Sequence, residues 1–337
     1  MNSQIDIVLP WVDGSDPEWQ KVKKESLKKY RPAEAANSNI RFESWDNLQY
    51  WFRAVETYMP WVHKIFFLTW GHLPEFLDTA HPKLEIVRHE DYIPKEYLPT
   101  FNSGPIEMNV HRIDGLAENY IMFNDDFFPL QPIAEEYYFR NDMVCDEAVE
   151  NVIVTATMGP IVNMARYMQV NNMFIINRHF QKREVQKKHW NKWYCEDYEE
   201  LLERTKSLQY WNDFPGFHDP HMACGLKKSV LKKIWELEEK DLDKASREHF
   251  RGPADINHYL VRYWQLCEGN FCPRKTKGKM CLVNMDNYHE YAQGIREQKW
   301  QMVSLNEDCT PEEFEVIKKE INGAFEQLLP TKSSFER

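Results

Sequence analysis

The sequence predicts an α/β fold: a mainly parallel, doubly wound sheet flanked by helices, with a largely helical insertion. Two observations carry this. Short apolar runs suited to buried strands alternate with segments of helical period in the first third. One of those runs, Tyr120-Ile121-Met122-Phe123, ends abruptly in Asn124-Asp125-Asp126, as a strand buried on both faces does where it reaches the sheet's edge.

The chain opens with Ile5–Val12, a β-rich run closed by the turn Asp13-Gly14-Ser15. Asp16 is a natural N-cap and Pro17 a natural first residue for a helix through Tyr30. Asp13 and Gly14 therefore lie in a strand-to-helix loop, where a nucleotide can approach the backbone, although an Asp-Gly pair alone reads as ordinary turn chemistry. Residues 31–44 read as a mobile loop. Asp46–Met59 repeats apolar residues at 48, 51, 52, 55, 58 and 59, a helical core face. Lys64–Thr69 and Leu84–Val87 are two further short strands. The first third is thus a Rossmann-like half without a GxGxxG loop, so a dinucleotide cofactor is not indicated. Thr100–Gly104 is a polar turn into a helix that Asn102 or Ser103 can cap, with Pro105 in its first turn and an anion site at its start. Asp125 and Asp126, at a strand's carboxyl end, suit a hard cation such as Mg²⁺ or Mn²⁺; the alternative is an acidic turn that caps the next segment.

Composition narrows the partners. Lys and Arg total 42 against 53 Asp and Glu, a net charge of −11, which excludes an electrostatic grip on nucleic acid. An anionic substrate then needs local cations or a metal. Seven cysteines, an odd number without CxxC pairing, fit a reducing compartment better than a disulfide scaffold or zinc site. With no basic and apolar leader and no apolar run of spanning length, the expectation is a soluble, cytoplasmic protein.

Further along, Ala134–Tyr210 reads as an insertion, helical at Ile161–Met168 and Asn171–Gln186, with a Lys, Arg and His cluster at Lys182–Lys192 that is ordinarily a solvated face. Asn212–Cys224 holds His218 and His221. Pro220 between them argues for a loop rather than a helical metal pair. Helices are expected at about Leu226–Lys240 and at Asp255–Cys267, and a strand at Lys279–Asn287 ending in Asn284, Asp286 and Asn287. Thr310-Pro311-Glu312-Glu313 starts a last helix with a capping box, and Phe314, Ile317, Ile321, Ala324, Phe325 and Leu328 form its stripe.

Several ordered blocks make the chain recognisable. Ile5–Val8 with Trp11–Trp19, then Asp46-Asn47, Tyr58–Val62, Leu98–Ser103, Ile106-Glu107, His111-Arg112-Ile113 and Asn124-Asp125-Asp126 resemble the Stealth family. That family holds bacterial capsular polysaccharide phosphotransferases and the catalytic part of eukaryotic N-acetylglucosamine-1-phosphotransferase. The resemblance runs from Ile5 to about Asn287 except for the middle insertion. Trp70-Gly71-His72 departs from it, since a small or polar residue usually precedes that Gly.

The resemblance implies transfer of a sugar-1-phosphate from a nucleotide sugar, such as a UDP-N-acetylhexosamine, to a glycan hydroxyl in capsular or cell-surface polysaccharide synthesis. It implies His221 as the catalytic histidine, the second of a His-x-Pro-His turn, with Arg251 and Asp126 as catalytic partners. Asp125 and Asp126 are the expected metal ligands; Trp11, Asp13, Gly14, Asn102, Ser103 and Arg112 are the expected donor-binding residues. The expected organisation is a catalytic domain of residues 1–133 and 212–310, an insertion of 134–211 acting as lid or acceptor surface, and a C-terminal helical segment, 311–337. Peripheral contact with the inner membrane or capsule-assembly proteins follows from the family alone. A metal-dependent glycosyltransferase releasing nucleoside diphosphate and a non-catalytic glycan-binding protein are the rival readings.

Overall fold

A computed structural model describes residues 4–32, 44–154 and 159–337, with backbone alone for 159–164. The loop expected over 31–44 lies almost wholly outside the described residues. The chain is a mixed α/β protein built on a mostly parallel five-stranded sheet. Strand β1 (Ile5–Pro10) is central. It pairs in parallel with β2 (Ile65–Thr69) on one side and β4 (Asn119–Met122) on the other, and β2 pairs in parallel with β3 (Leu84–Arg88). Strand β8 (Cys224–Lys227) closes the far edge antiparallel to β4.

Between β1 and β2 run α1 (Pro17–Tyr30) and α2 (Leu48–Tyr58). The start of α1 follows its cap chemistry, since Asp16 Oδ1 accepts from Trp19 N at 2.7 Å and Pro17 needs no N–H partner. After β3 come a single turn, α3 (His89–Tyr92), and the short α4 (Ser103–Met108), capped by Asn102. All four residues of β4 are buried. Asn124, Asp125 and Asp126 cannot be buried cheaply, so the chain turns out at the carboxyl end and returns as β5 (Phe127–Pro129).

The middle segment opens with the hairpin β6 (Phe139–Arg140) and β7 (Met143–Asp146), then α5 (Gly159–His179), α6 (Lys182–Lys188), α7 (Trp190–Trp193) and α8 (Leu202–Ser207). Its cationic cluster is partly internal. Lys182 is fully buried and paired with Glu150 at 2.7 Å, and Lys192 Nζ donates to the carbonyls of Gly269 and Phe271. The expected helix at Leu226–Lys240 divides into β8, α9 (Lys228–Leu237) and α10 (Glu239–Ser246); the next, α11, begins later than expected, at Tyr259, and ends at Glu268. Gly225 explains why β8 fits the sheet edge, where a Cβ would meet the ring of Phe139 at 3.1 Å.

Strand β9 (Phe271–Pro273) lies parallel to β7, so the middle segment is joined by backbone to the chain that follows α11. Strand β10 (Lys279–Val283) pairs with β11 (Met302–Glu307), and β11 pairs antiparallel with β5. Helix α12 (Tyr288–Arg296) packs on α13 (Pro311–Leu328), whose Thr310 capping box and buried Phe314, Ile317, Ile321, Ala324 and Phe325 match the sequence pattern. Arg53 fastens the C-terminus to α2 through a bidentate pair with Glu336 at 2.8 and 2.9 Å.

Candidate active site

The carboxyl ends of β1 and β4 open into a cleft with two adjoining compartments. The outer one, about 550 Å³, is bordered by Asp126, His221, Asn306 and Glu307. The inner one, about 190 Å³, is bordered by His89, Asn102, Ser103 and Glu107. Trp11, Val12, Asn124, Asp125 and Arg251 border both. Seven residues expected from sequence (Trp11, Asn102, Ser103, Asp125, Asp126, His221 and Arg251) therefore meet at one cleft.

The acidic turn is held by two adjacent residues of β11. Leu305 N donates to the Asp126 carbonyl at 3.0 Å, and Asn306 Nδ2 reaches Asp126 Oδ2 at 3.5 Å. Asp125 is exposed at the cleft, and the protein atoms crowded around it, the adjacent Asp126 charge and the more distant Glu307 raise its carboxyl above the ordinary carboxylate range. Asp125 and Asp126 put two adjacent carboxylates at the cleft, with Glu307 on its border. Among the described residues no group of three or more His, Cys, Asp and Glu is arranged to hold a metal ion. The donor set of Asp125 and Asp126 is all oxygen, and it fits Mg²⁺, which commonly takes one or two carboxylates and completes its shell with water and substrate phosphates.

His221 stands across from this turn, its Nε2 3.5 Å from Asp126 Oδ2 and its ring edge-on to Phe127. Its φ of 52° is left-handed, a strained conformation for a residue with a Cβ, and the loop around it is pinned accordingly. Arg262 of α11 donates to the His218 carbonyl at 2.9 Å and to Asp219 at 3.3 Å, and Tyr263 donates to Asp219 at 2.6 Å. His218 itself faces away from the cleft and binds buried Glu147 at 2.6 Å. Burial opposes ionisation of Glu147, but the His218 hydrogen bond and the Arg262 charge override it and hold the carboxyl down at about 2.

Arg251 is carried on a loop tied to the Thr100–Gly104 turn. Phe101 N donates to the His249 carbonyl at 2.8 Å, Phe101 stacks on Phe250, and Asn102 Nδ2 donates to Asp255 Oδ1 at 2.8 Å. Asn102 Oδ1 meanwhile accepts from Gly104 N at 3.2 Å. Asn102 is thus a buried brace, and the second N–H of α4, that of Gly104, faces it rather than a ligand. Arg251 Nη2 reaches Ser103 Oγ at 3.5 Å. Burial raises the Asp255 carboxyl to about 6 against the pull of Gly252 N–H, Asn102 and Arg251.

Three expected donor residues are not brought to these compartments. The Asp13 carboxylate accepts from Ser15 N and Oγ at 2.8 and 2.6 Å, within its own turn. Gly14 borders a separate surface cavity beside α1. Arg112 lies over Trp235 and donates to Asn109. Asn284, Asp286 and Asn287 bond one another in a turn before α12, while Met280 and Leu282 border the outer compartment. Sequence reading missed Asn306 and Glu307, which end a strand it did not assign, and Asp308 and Cys309, which follow it. The signal was there in Met302-Val303-Ser304-Leu305, a short apolar run between polar ends. His72, in the Trp70-Gly71-His72 stretch singled out above, accepts on Nε2 from Asp13 N at 2.7 Å, and its ring meets the Trp11 ring edge-on.

Fold and site together define an α/β protein whose strand-end cleft gathers two carboxylates, a histidine and a guanidinium. Models of the Stealth protein conserved regions 1 and 2 match residues 3–31 and 41–146. The chain is 37% identical over 335 residues to the capsular polysaccharide phosphotransferase WcwK of Streptococcus pneumoniae, covering 99% of this chain and 98% of that protein. It is 33% identical over 336 residues to the exopolysaccharide phosphotransferase cps2G of Lactiplantibacillus plantarum, covering 99% and 96%. It is also 33% identical over 342 residues to the receptor polysaccharide phosphotransferase WefC of Streptococcus oralis, covering 99% of each. The solved structure described as WbbM bifunctional glycosytransferase aligns at 8% identity with a TM-score of 0.34, over 98% of this chain and 52% of that one, too low a likeness to carry an argument. The chain belongs to the Stealth family.

Proposed function

We propose that this enzyme is a phosphotransferase of capsular or cell-surface polysaccharide synthesis. It moves a sugar-1-phosphate from a nucleotide sugar to a glycan hydroxyl and releases a nucleoside monophosphate. The observation that carries the reading is the meeting of His221, Asp126 and Arg251 around one cleft from three distant stretches of chain. The names of the full-length relatives support it.

Phosphoryl transfer calls mainly for in-line positioning and neutralised charge. Arg251 can pair two phosphate oxygens at once and stays charged at working pH. His221 takes the proton of the attacking hydroxyl. Asp126 faces His221 Nε2 and stabilises the imidazolium formed. Asp125 and Asp126 would hold Mg²⁺ or Mn²⁺, which supplies charge neutralisation at the diphosphate when bound. Trp11 and Ser103 flank the donor, and Asn102 positions Arg251. The strand order β3-β2-β1-β4 supports a Rossmann-like, doubly wound sheet as the frame.

Residues 134–211 serve in this reading as a lid or acceptor surface. A cytoplasmic site of action, in peripheral contact with the inner membrane or capsule-assembly proteins, is the corresponding location. Seven free cysteines support a reducing compartment. No helix among the described residues is long and apolar enough to cross a membrane. Incubation with a panel of nucleotide sugars and glycan acceptors tests the function. Release of nucleoside monophosphate is expected; nucleoside diphosphate would mark a glycosyltransferase, and no metal-dependent turnover a binding protein.

A further inference from the structure

The fold divides the cationic cluster of the middle segment. Lys182 and Lys192 are used inside, on Glu150 and on two carbonyls. Arg183 and Lys187, one turn apart on α6, are exposed. With Gln186, Trp190, Tyr194 and Gln209 they border a surface hollow of about 390 Å³. No residue of this hollow borders either compartment of the cleft. Trp190 is 54% exposed and stacks on Tyr194 with ring centroids 3.9 Å apart, so an indole is held flat at the surface. Tyr194 in turn donates to Oε1 of the buried Gln186 at 3.4 Å, and Arg183 Nη2 donates to the Tyr210 carbonyl at 3.2 Å, which fixes the guanidinium at the rim. Other cations of this region have acidic partners: Lys206 pairs with Glu203, Lys275 with Glu199 and Glu200, and Arg178 with Glu238 and Asp241. Among the described residues, Arg183 and Lys187 have none, in a chain of net charge −11.

We propose that this hollow is a second glycan site, apart from the cleft, which holds a phosphodiester-linked polysaccharide with a sugar ring on Trp190 and a phosphodiester between Arg183 and Lys187. This rests on the phosphotransferase reading above, whose product carries one such phosphodiester for every transfer.

The chemistry of the hollow matches that polymer part by part. One face of a pyranose is a sheet of C–H groups that packs on an indole, while the hydroxyls stay wet at the edge. The amide of Gln209 offers both a donor and an acceptor to those hydroxyls. A phosphodiester stays anionic at any working pH and exposes two oxygens, which a guanidinium and an ammonium neutralise. An anionic bilayer calls on the same residue types, but it would press the whole acidic surface against its own charge. A single glycan strand meets the hollow alone. A polymer held there also offers its free end to the cleft at a raised effective concentration, which a single sugar cannot do.

The test is calorimetric titration of the full chain with phosphomannan, a mannose polymer bearing phosphodiesters, and with the same mannan freed of phosphate. Phosphomannan should bind the wild type, less tightly as salt is raised, and the phosphate-free mannan at least tenfold more weakly. Trp190→Ala and the double variant Arg183→Ser/Lys187→Ser should each weaken phosphomannan tenfold or more. Both change surface residues, melting curves check that they fold, and either one carries the test without the other. In turnover they should raise KM for a polymeric acceptor while leaving kcat, and KM for a single repeat unit, unchanged. The proposal is overturned if phosphomannan does not bind, if both variants bind it as the wild type does, or if the phosphate-free mannan binds as well. Pelleting with phosphatidylglycerol vesicles that depends on Trp190, without phosphomannan binding, would give the hollow to a membrane instead. Titration needs no turnover, so its failure leaves the nucleotide assay standing, and nucleoside diphosphate in that assay would defeat the phosphotransferase reading while the titration still reports what the hollow binds.

Discussion

Asn102 Nδ2 donates to Asp255 Oδ1 at 2.8 Å, joining a turn after β3 to the loop that carries Arg251. The contribution of Asn102 to activity therefore passes through Arg251. Asn102→Ala frees the loop and leaves Asp255 without its side-chain donor. We expect a drop of about tenfold or more in kcat/KM, on the scale of one lost buried hydrogen bond to a charged group, about 1.5–3 kcal/mol. If Arg251→Ala and the double variant Asn102→Ala/Arg251→Ala have equal kcat/KM, the coupling is established. Additive losses would mean that Asn102 acts on the donor by another route.

His221→Ala should lower the rate by roughly 10²–10⁴-fold while nucleotide-sugar affinity survives, since the base acts on the acceptor. Arg251→Lys should fail nearly as badly as Arg251→Ala if bidentate pairing is what matters. His218→Ala is a different case, because the structure pairs His218 with buried Glu147. It should lower the melting temperature and keep most of the turnover. An inactive but fully stable His218→Ala would reverse the two assignments.

Chelation should abolish activity, and added Mg²⁺ or Mn²⁺ should restore it. Asp126→Asn should lose most activity with its circular dichroism intact. Full activity of that variant at limiting metal would remove Asp126 from the ligand set.

The pair Lys182–Glu150 is buried at both ends. Lys182→Ala strands a carboxylate in the interior and should cost about 3–5 kcal/mol in urea unfolding. Replacing both by hydrophobic residues of similar volume, Lys182→Met with Glu150→Leu, should recover most of that loss. A Lys182→Ala protein as stable as wild type would show that Glu150 is protonated and indifferent to its partner.

Stability should depend on pH through His258 and Glu107. Burial alone would lower the His258 pKa, but the Glu107 carboxylate overrides it and raises the imidazole from 6.5 to about 10. That stabilisation is complete below pH 6.5 and fades as the pH rises through 10. Burial likewise opposes the Glu107 carboxylate, which His258 nonetheless holds below its ordinary 4.5, so its share is lost in acid. The stability difference between wild type and His258→Gln should be largest between about pH 4.5 and 6.5 and shrink toward pH 10. A difference that grows toward alkali would contradict a charged His258.

Much of this was legible in the residues, and the exceptions have reasons. Asp16-Pro17 and Thr310-Pro311 marked two helix starts because capping is local chemistry. The acidic turn was legible because a buried apolar run must end where carboxylates begin. Strand β8 was missed because Cys-Gly-Leu-Lys has no strand pattern of its own; it is a strand because β4 offers an open edge. Asn102 looked like a cap and a donor ligand, and its link to Asp255, 153 positions away, is tertiary. Arg112 shared a block with site residues yet turns to Trp235, since adjacency in sequence does not set the direction of a side chain.

Pairing of β11 with β5 has a consequence for synthesis on the ribosome. The acidic turn emerges early, His221 and Arg251 much later, and the wall formed by Asn306, Glu307, Asp308 and Cys309 later still. Domains fold as units while the chain is being made. A nascent chain that has not yet exposed residue 309 therefore has its sheet and every residue that borders the inner compartment, but an outer compartment without one wall. A message truncated upstream of β11 yields a product whose acidic turn lacks the Leu305 N–H that holds the Asp126 carbonyl.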